Sequence, residues 1–176
     1  MSVDALLRVI QPTTETVETP ERHAWQGVEA RIGTALPDDY KAFIERLGTG
    51  RIDDFLWVFN PFSDNTHLNL VEQIAPQLEN LRVLEKEFNE RLPYALFPDP
   101  GGLLPFASTD NGDVLFWRTV GTPNHWTVVV NEARAPEYEE FASNMTDFLF
   151  NILTRTTVCK TFPEDFPGDD PRFRSS

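Results

Sequence analysis

The chain is 176 residues long, 40% hydrophobic and 24% charged, the size and composition of one domain with a full core. Its 28 acidic against 15 basic residues leave a formal charge of −13, which excludes a sequence-independent binder of nucleic acid or of anionic membrane and leaves basic partners for any electrostatic association. The lone cysteine, Cys159, supplies neither an internal disulfide nor a zinc site, so a reducing, cytoplasmic compartment is expected.

The amino terminus, Met1 to Arg8, has an early acid and no long apolar stretch. No run of about 18 apolar residues follows, so neither an export signal nor a membrane span is expected. Val3, Leu6, Leu7 and Ile10 have helical spacing, and the polar stretch Gln11 to Glu21, with Pro12 and Pro20, reads as a connector. Residues 1–23 are thus an amino-terminal helix and connector, and the main domain is expected over 24–156. Trp25, Val28 and Ile32 form a helical stripe closed by Gly33; after Leu36-Pro37-Asp38-Asp39, Tyr40, Phe43, Ile44 and Leu47 form a second, closed by Gly48.

Phe55 to Phe59 is an apolar and aromatic run with the profile of a buried strand. Leu70, Ile74, Leu78, Leu81, Leu84 and Phe88 repeat every three or four residues and predict a long amphipathic helix, in which Pro76 must fall in the first turn or kink the axis. The proline- and glycine-rich stretch Leu92 to Pro105 reads as a loop leading into three strands, Phe106–Thr109, Val114–Trp117 and Trp126–Val130. Asn111-Gly112 between the first two predicts a type I′ hairpin, which needs positive φ at both central residues. Asn144 or Ser143 caps a last helix with Phe148, Leu149, Ile152 and Leu153 facing inward. Residues 157–176, acidic and aromatic, read as a loose carboxy-terminal arm. The sum is one α+β domain with a mostly antiparallel central sheet and flanking helices.

The residues offer little chemistry. His23, His67 and His125 lack metal-ligand spacing, and no nucleophile elbow, phosphate loop or dinucleotide fingerprint occurs. Lys160 beside Cys159 would lower a thiol pKa, yet no catalytic signature accompanies the pair. Asp53, Asp54, Asp64, Asp110 and Asp113 make a carboxylate pair or calcium site on paper, but the segment Ser108 to Asp113 departs from the calcium-loop pattern at its first ligand, and turns explain these residues without a metal. Trp25, Trp57, Trp117 and Trp126 sit on apolar-periodic elements and read as core. No metal and no cofactor is expected, and by exclusion the chain reads as a binding protein. Counted by thirds, residues 1–54, 55–113 and 114–176 carry −4, −6 and −3, so the acidity belongs to the body and not to a tail.

Three blocks resemble the SMI1/KNR4 family, the SUKH superfamily. Trp25 to Ile44 is similar to its Glu, Gly, Leu-Pro and Tyr-Lys signature, although Leu47-Gly48-Thr49-Gly50 replaces the usual closing asparagine-glycine. Pro105 to Trp117 is similar to its block of phe-ala, acidic turn, gly-asp and trp; Phe148 to Leu153 matches its last helix. The resemblance implies a protein-binding α+β domain. Bacterial members are largely immunity proteins of polymorphic toxin systems, which neutralise toxins such as nucleases or deaminases by binding and occlusion. The implied partner is a cognate toxin with a basic surface, with no direct nucleic-acid or membrane contact and no enzymatic activity. Partner-binding residues are expected among Asp53, Asp54, Asp64, Asp110 and Asp113. The alternative implied by the fungal members is a regulatory or scaffold module linked to cell-wall synthesis or signalling; an enzyme comes third.

Overall fold

The computed structural model describes residues 3–13, 15–89 and 91–176; Met1 and Ser2 of the amino-terminal segment and Thr14 of the connector lie outside them. Among the described residues the chain forms helices α1 (Val3–Leu7), α2 (Trp25–Ile32), α3 (Asp38–Leu47), α4 (Leu70–Phe88) and α5 (Met145–Leu153). The strands are β1 (Gln11–Pro12), β2 (Gly50–Ile52), β3 (Leu56–Val58), β4 (Leu103–Thr109), β5 (Val114–Arg118), β6 (Thr127–Asn131), β7 (Tyr138–Phe141) and β8 (Arg172–Ser175). They make one sheet in the order β1-β8-β2-β3-β4-β5-β6-β7, antiparallel throughout except for the β1–β8 pair. The α+β fold with a mostly antiparallel sheet is the one the sequence implies.

Alternation along the strands sends side chains to two faces. Ile52, Leu56, Val58, Leu104, Leu115, Trp117, Val128, Val130 and Phe173 join the main core with α1, α2, α3 and α5. Leu103, Val114, Phe116 and Val129 point the other way, onto Leu78 and Leu81 of α4. The family-like signature serves this scaffold. Gly33 closes α2 at φ 86°, the Glu29 carboxylate accepts from the Leu36 N–H at 2.9 Å and from Lys41 Nζ at 3.2 Å, and the fully buried Tyr40 hydroxyl donates to the Phe59 carbonyl at 2.6 Å. Asn144 caps α5, its side chain accepting from the Asp147 N–H at 2.8 Å.

Several expectations are corrected. Pro76 lies in the second turn of α4 and not in the first, and its missing N–H leaves the carbonyl of exposed Glu72 without that bond donor. Strand β4 begins at Leu103 and takes in Pro105, which sits at a register shift between Pro105 and Ala107; a bulge is where a strand tolerates proline. The β4–β5 hairpin forms, but of its turn residues only Gly112 has positive φ, 93°. With Gly112 N–H on Thr109 O and Thr109 N–H on Asp113 O, both at 2.9 Å, it is a three-residue loop with a glycine bulge. The type I′ turn lies instead between β2 and β3, where Asp53 and Asp54 stand at φ 52° and 53° and Phe55 N–H reaches Ile52 O at 3.0 Å.

The two chain ends are built into the sheet. β8 is an interior strand between β1 and β2, with the fully buried Phe173 edge-on to Phe43 at 6.0 Å, so the segment read as a loose arm completes the core. The connector is pinned too: Glu18 accepts from the Asp64 N–H at 2.8 Å and from the Thr49 hydroxyl, and buried Asn60 donates to Glu18 O at 3.0 Å and to Thr49 Oγ1 at 2.8 Å.

Candidate functional site

Strand directions decide which turns share an end of the sheet. The β2–β3, β4–β5 and β6–β7 turns and the segment entering β8 all lie at one end, shown by Asp110 N–H on Phe55 O at 3.0 Å and Asp53 N–H on Arg172 O at 2.7 Å. Asp53, Asp54, Asp110 and Asp113 therefore gather there. Asp64, exposed beside Glu18 after β3, belongs to the opposite end.

The four gathered aspartates differ in what they can do. Asp113 is only 3% exposed; its oxygens take the Thr109 hydroxyl at 2.7 Å and the Ala133 N–H at 3.0 Å, so it ties two turns together and is corrected from partner contact to scaffold. Asp53 accepts from the Gly168 N–H at 2.5 Å and anchors the approach to β8. Asp54 and Asp110 remain at the surface, each engaged with a residue of the outer sheet face.

That face carries a row across four strands, Arg174 of β8, Arg51 of β2, Trp57 of β3 and Ser108 of β4, set in register by the ladder. α4 covers this side only farther along, over β4 to β6. Asp54 bridges Arg51 Nε at 2.8 Å and Arg174 Nη2 at 3.3 Å. The Arg51 guanidinium lies 5.1 Å from the centre of the Trp57 ring, and the indole N–H donates to Asp110 at 2.7 Å. Trp57, expected in the core, is thus half-buried on an open face, whereas Trp25, Trp117 and Trp126 are core. Next to Asp110, Asn111 and Gly112 border a groove of about 490 Å³ between α4 and the turns, with Leu81, Val114 and Phe116 as its floor and Asn80, Glu87 and Arg134 on its rim. Ladder and groove form one strip, joined at Asp110.

The remaining candidates for chemistry are quiet. Burial pushes the Cys159 thiol up to about 12, and the Glu139 carboxylate beside it at 3.4 Å adds to the shift, the reverse of activation. His125 faces the Thr122 hydroxyl at 2.8 Å and Asp110 faces Trp57. Among the described residues no group of three His, Cys, Asp or Glu side chains could hold a metal ion, and no helix is long and apolar enough to cross a membrane.

Arg51, Arg174 and the groove were not singled out from sequence. The pattern Arg172-Phe173-Arg174, basic-apolar-basic, is a readable strand alternation; the groove has no local signal, because α4 and two turns supply its walls.

The family model described as SMI1-KNR4 cell-wall matches residues 22–149. No curated protein and no solved structure matches the chain. The match runs from just before α2 into α5, so α1, β1 and β8 lie outside it.

Proposed function

The chain belongs to the SMI1/KNR4 family, the SUKH superfamily, and from that premise we propose that it is a non-enzymatic, cytoplasmic immunity protein that binds and occludes a cognate toxin with a basic surface, a nuclease or a deaminase. The observation that carries this is the strip itself: a partly exposed tryptophan stacked by arginine, held in place by two carboxylates, beside a groove with an apolar floor. Trp and Arg are the residues that dominate protein–protein binding energy, and prearranged side chains lose little entropy on docking. Exposed Asp110 stands next to the Asn111–Gly112 edge of the groove and Glu87 is on its rim with Arg134; with the −13 of the whole chain this suits a basic partner and salt-dependent steering. Of the five aspartates expected to bind, Asp110 is the one this proposal keeps at the centre, with Asp54 acting through Arg51 and Arg174.

The test is co-expression with the toxin domain encoded beside this gene. Growth rescue, a salt-sensitive complex and loss of both with Trp57→Ala are expected; no rescue and no complex refute the proposal. The cell-wall description of the matching family favours the second reading, a regulatory scaffold, which such a failure would leave standing.

A further inference from the structure

The sheet ends on β7. Its residues pair with β6 on one side, and among the described residues no strand pairs with them on the other. Glu132 N–H donates to Glu137 O at 3.2 Å, and directly opposed pairs alternate along an antiparallel ladder. Glu139 and Phe141 therefore face β6 with their backbone groups, while Tyr138 and Glu140 turn their N–H and C=O away from the sheet. Among the described residues nothing hydrogen-bonds to those groups. Such an edge is a template for another strand. A hollow of about 300 Å³ lined by Phe141, Ser143, Phe148 and Asn151 continues the edge toward α5.

The side chains of the edge select its occupant. Glu139 and Phe141 lie opposite Val130 and Val128, on the main-core face, and Glu137 shares that face by alternation. Glu137 is exposed, and Glu139 accepts from the Thr161 N–H at 2.9 Å; among the described residues neither carboxylate meets a cation. Lys160 reaches Glu139 through its backbone N–H. On the other face Glu140 is held by Arg118 at 2.8 Å. The charges around them offset one another, Glu132 with Arg134 in the β6–β7 turn and Glu85 with Arg91 beside Tyr138.

We propose that β7 accepts an extended, lysine- or arginine-bearing segment of a protein partner as an added strand. Its cross-strand neighbours would be Glu137 and Glu139 on one face and Tyr138 on the other, so alternating basic and apolar residues fit it, a basic residue opposite each free carboxylate. A second copy of this chain does not fit, because any antiparallel pairing of residues 137–140 with themselves sets glutamate opposite or beside glutamate. The edge is four strands from Trp57 in the sheet order and forms a second surface apart from the strip. The inference needs a protein partner but not a toxin.

The test is an NMR titration of the full chain, with amide hydrogen exchange read at Tyr138 and Glu140. The probes are acetyl-Lys-Val-Lys-Val-Lys-amide, its Glu-Val-Glu-Val-Glu counterpart, and the basic peptide N-methylated along its backbone, which keeps the charge and loses the strand's N–H donors. The basic peptide is expected to shift both amide resonances in the millimolar range and to slow their exchange at saturation; the other two peptides are expected to leave them unchanged. Glu137→Lys should weaken binding about fivefold without altering thermal stability. No response, an equal response to the acidic or N-methylated peptide, full binding by Glu137→Lys, or self-association of the free chain through these amides would each overturn the proposal. Failed toxin rescue beside a positive titration sinks the immunity reading and leaves this inference intact; a silent titration beside successful rescue sinks this inference alone.

Discussion

Phe173→Ala is the sharpest probe of how this fold is assembled. Phe173 is fully buried, packs edge-on to Phe43 at 6.0 Å, and lies so close to Gly50 that a Cβ built there would come 2.6 Å from the ring. Removing a buried phenylalanine side chain costs about 3–5 kcal/mol, the larger values arising where the surroundings cannot collapse. β1 and β2 hydrogen-bond to β8 on either side, so collapse is hindered and the expected loss is about 4 kcal/mol. For a domain of this size each kcal/mol lowers Tm by about 2–4 °C, giving a drop of roughly 8–16 °C. Urea unfolding followed by tryptophan fluorescence and calorimetry measures both quantities, with the exposed Arg172→Ala expected within about 0.5 kcal/mol of wild type. A loss below about 1 kcal/mol for Phe173→Ala would show that β8 is a peripheral arm.

Other expectations follow from single contacts. Asp113→Ala leaves the Thr109 hydroxyl and Ala133 N–H without their carboxylate and is expected to cost about 1–3 kcal/mol in denaturant unfolding; an unchanged midpoint would show that the turns do not need it. Burial works to raise the Glu18 pKa, but hydrogen bonds from Thr49, the Asp64 N–H and Ser63 outweigh it and hold the group below its ordinary value. Its stabilisation is therefore present above the ordinary carboxylate pKa and lost as pH falls through the lowered folded value. The stability gap between wild type and Glu18→Gln should shrink over that acid range, and a pH-independent gap contradicts the assignment. Cys159, 4% exposed with its thiol pushed up to about 12, should react with a disulfide reagent at pH 8 on the order of a thousandfold more slowly than the unfolded chain; a fast reaction would overturn its quiet, buried role.

The helices, three of the central strands and the family were legible from sequence because their information is local. Apolar spacing, Gly33 and Asn144 at helix ends and the apolar runs in β3, β5 and β6 each report on a few neighbouring residues, and burial of one face forces them to fold as they read. The chemistry of the surface was not local. Asp54 reads alone as a turn residue and Trp57 as core; strand register sets them beside Arg51 and Arg174, the latter 117 positions beyond Trp57 in the chain. The −13 total gave the sign of the whole chain but not that Arg51 and Arg174, on adjacent strands, would share the Asp54 carboxylate. By itself the sequence determined which segments are helix or strand, the acidity of the body and the family. Only the tertiary structure decided that β1 and β8 complete the sheet and that half-buried Trp57 sits between Arg51 and Asp110, because pairing between strands far apart in sequence leaves no mark in either strand alone.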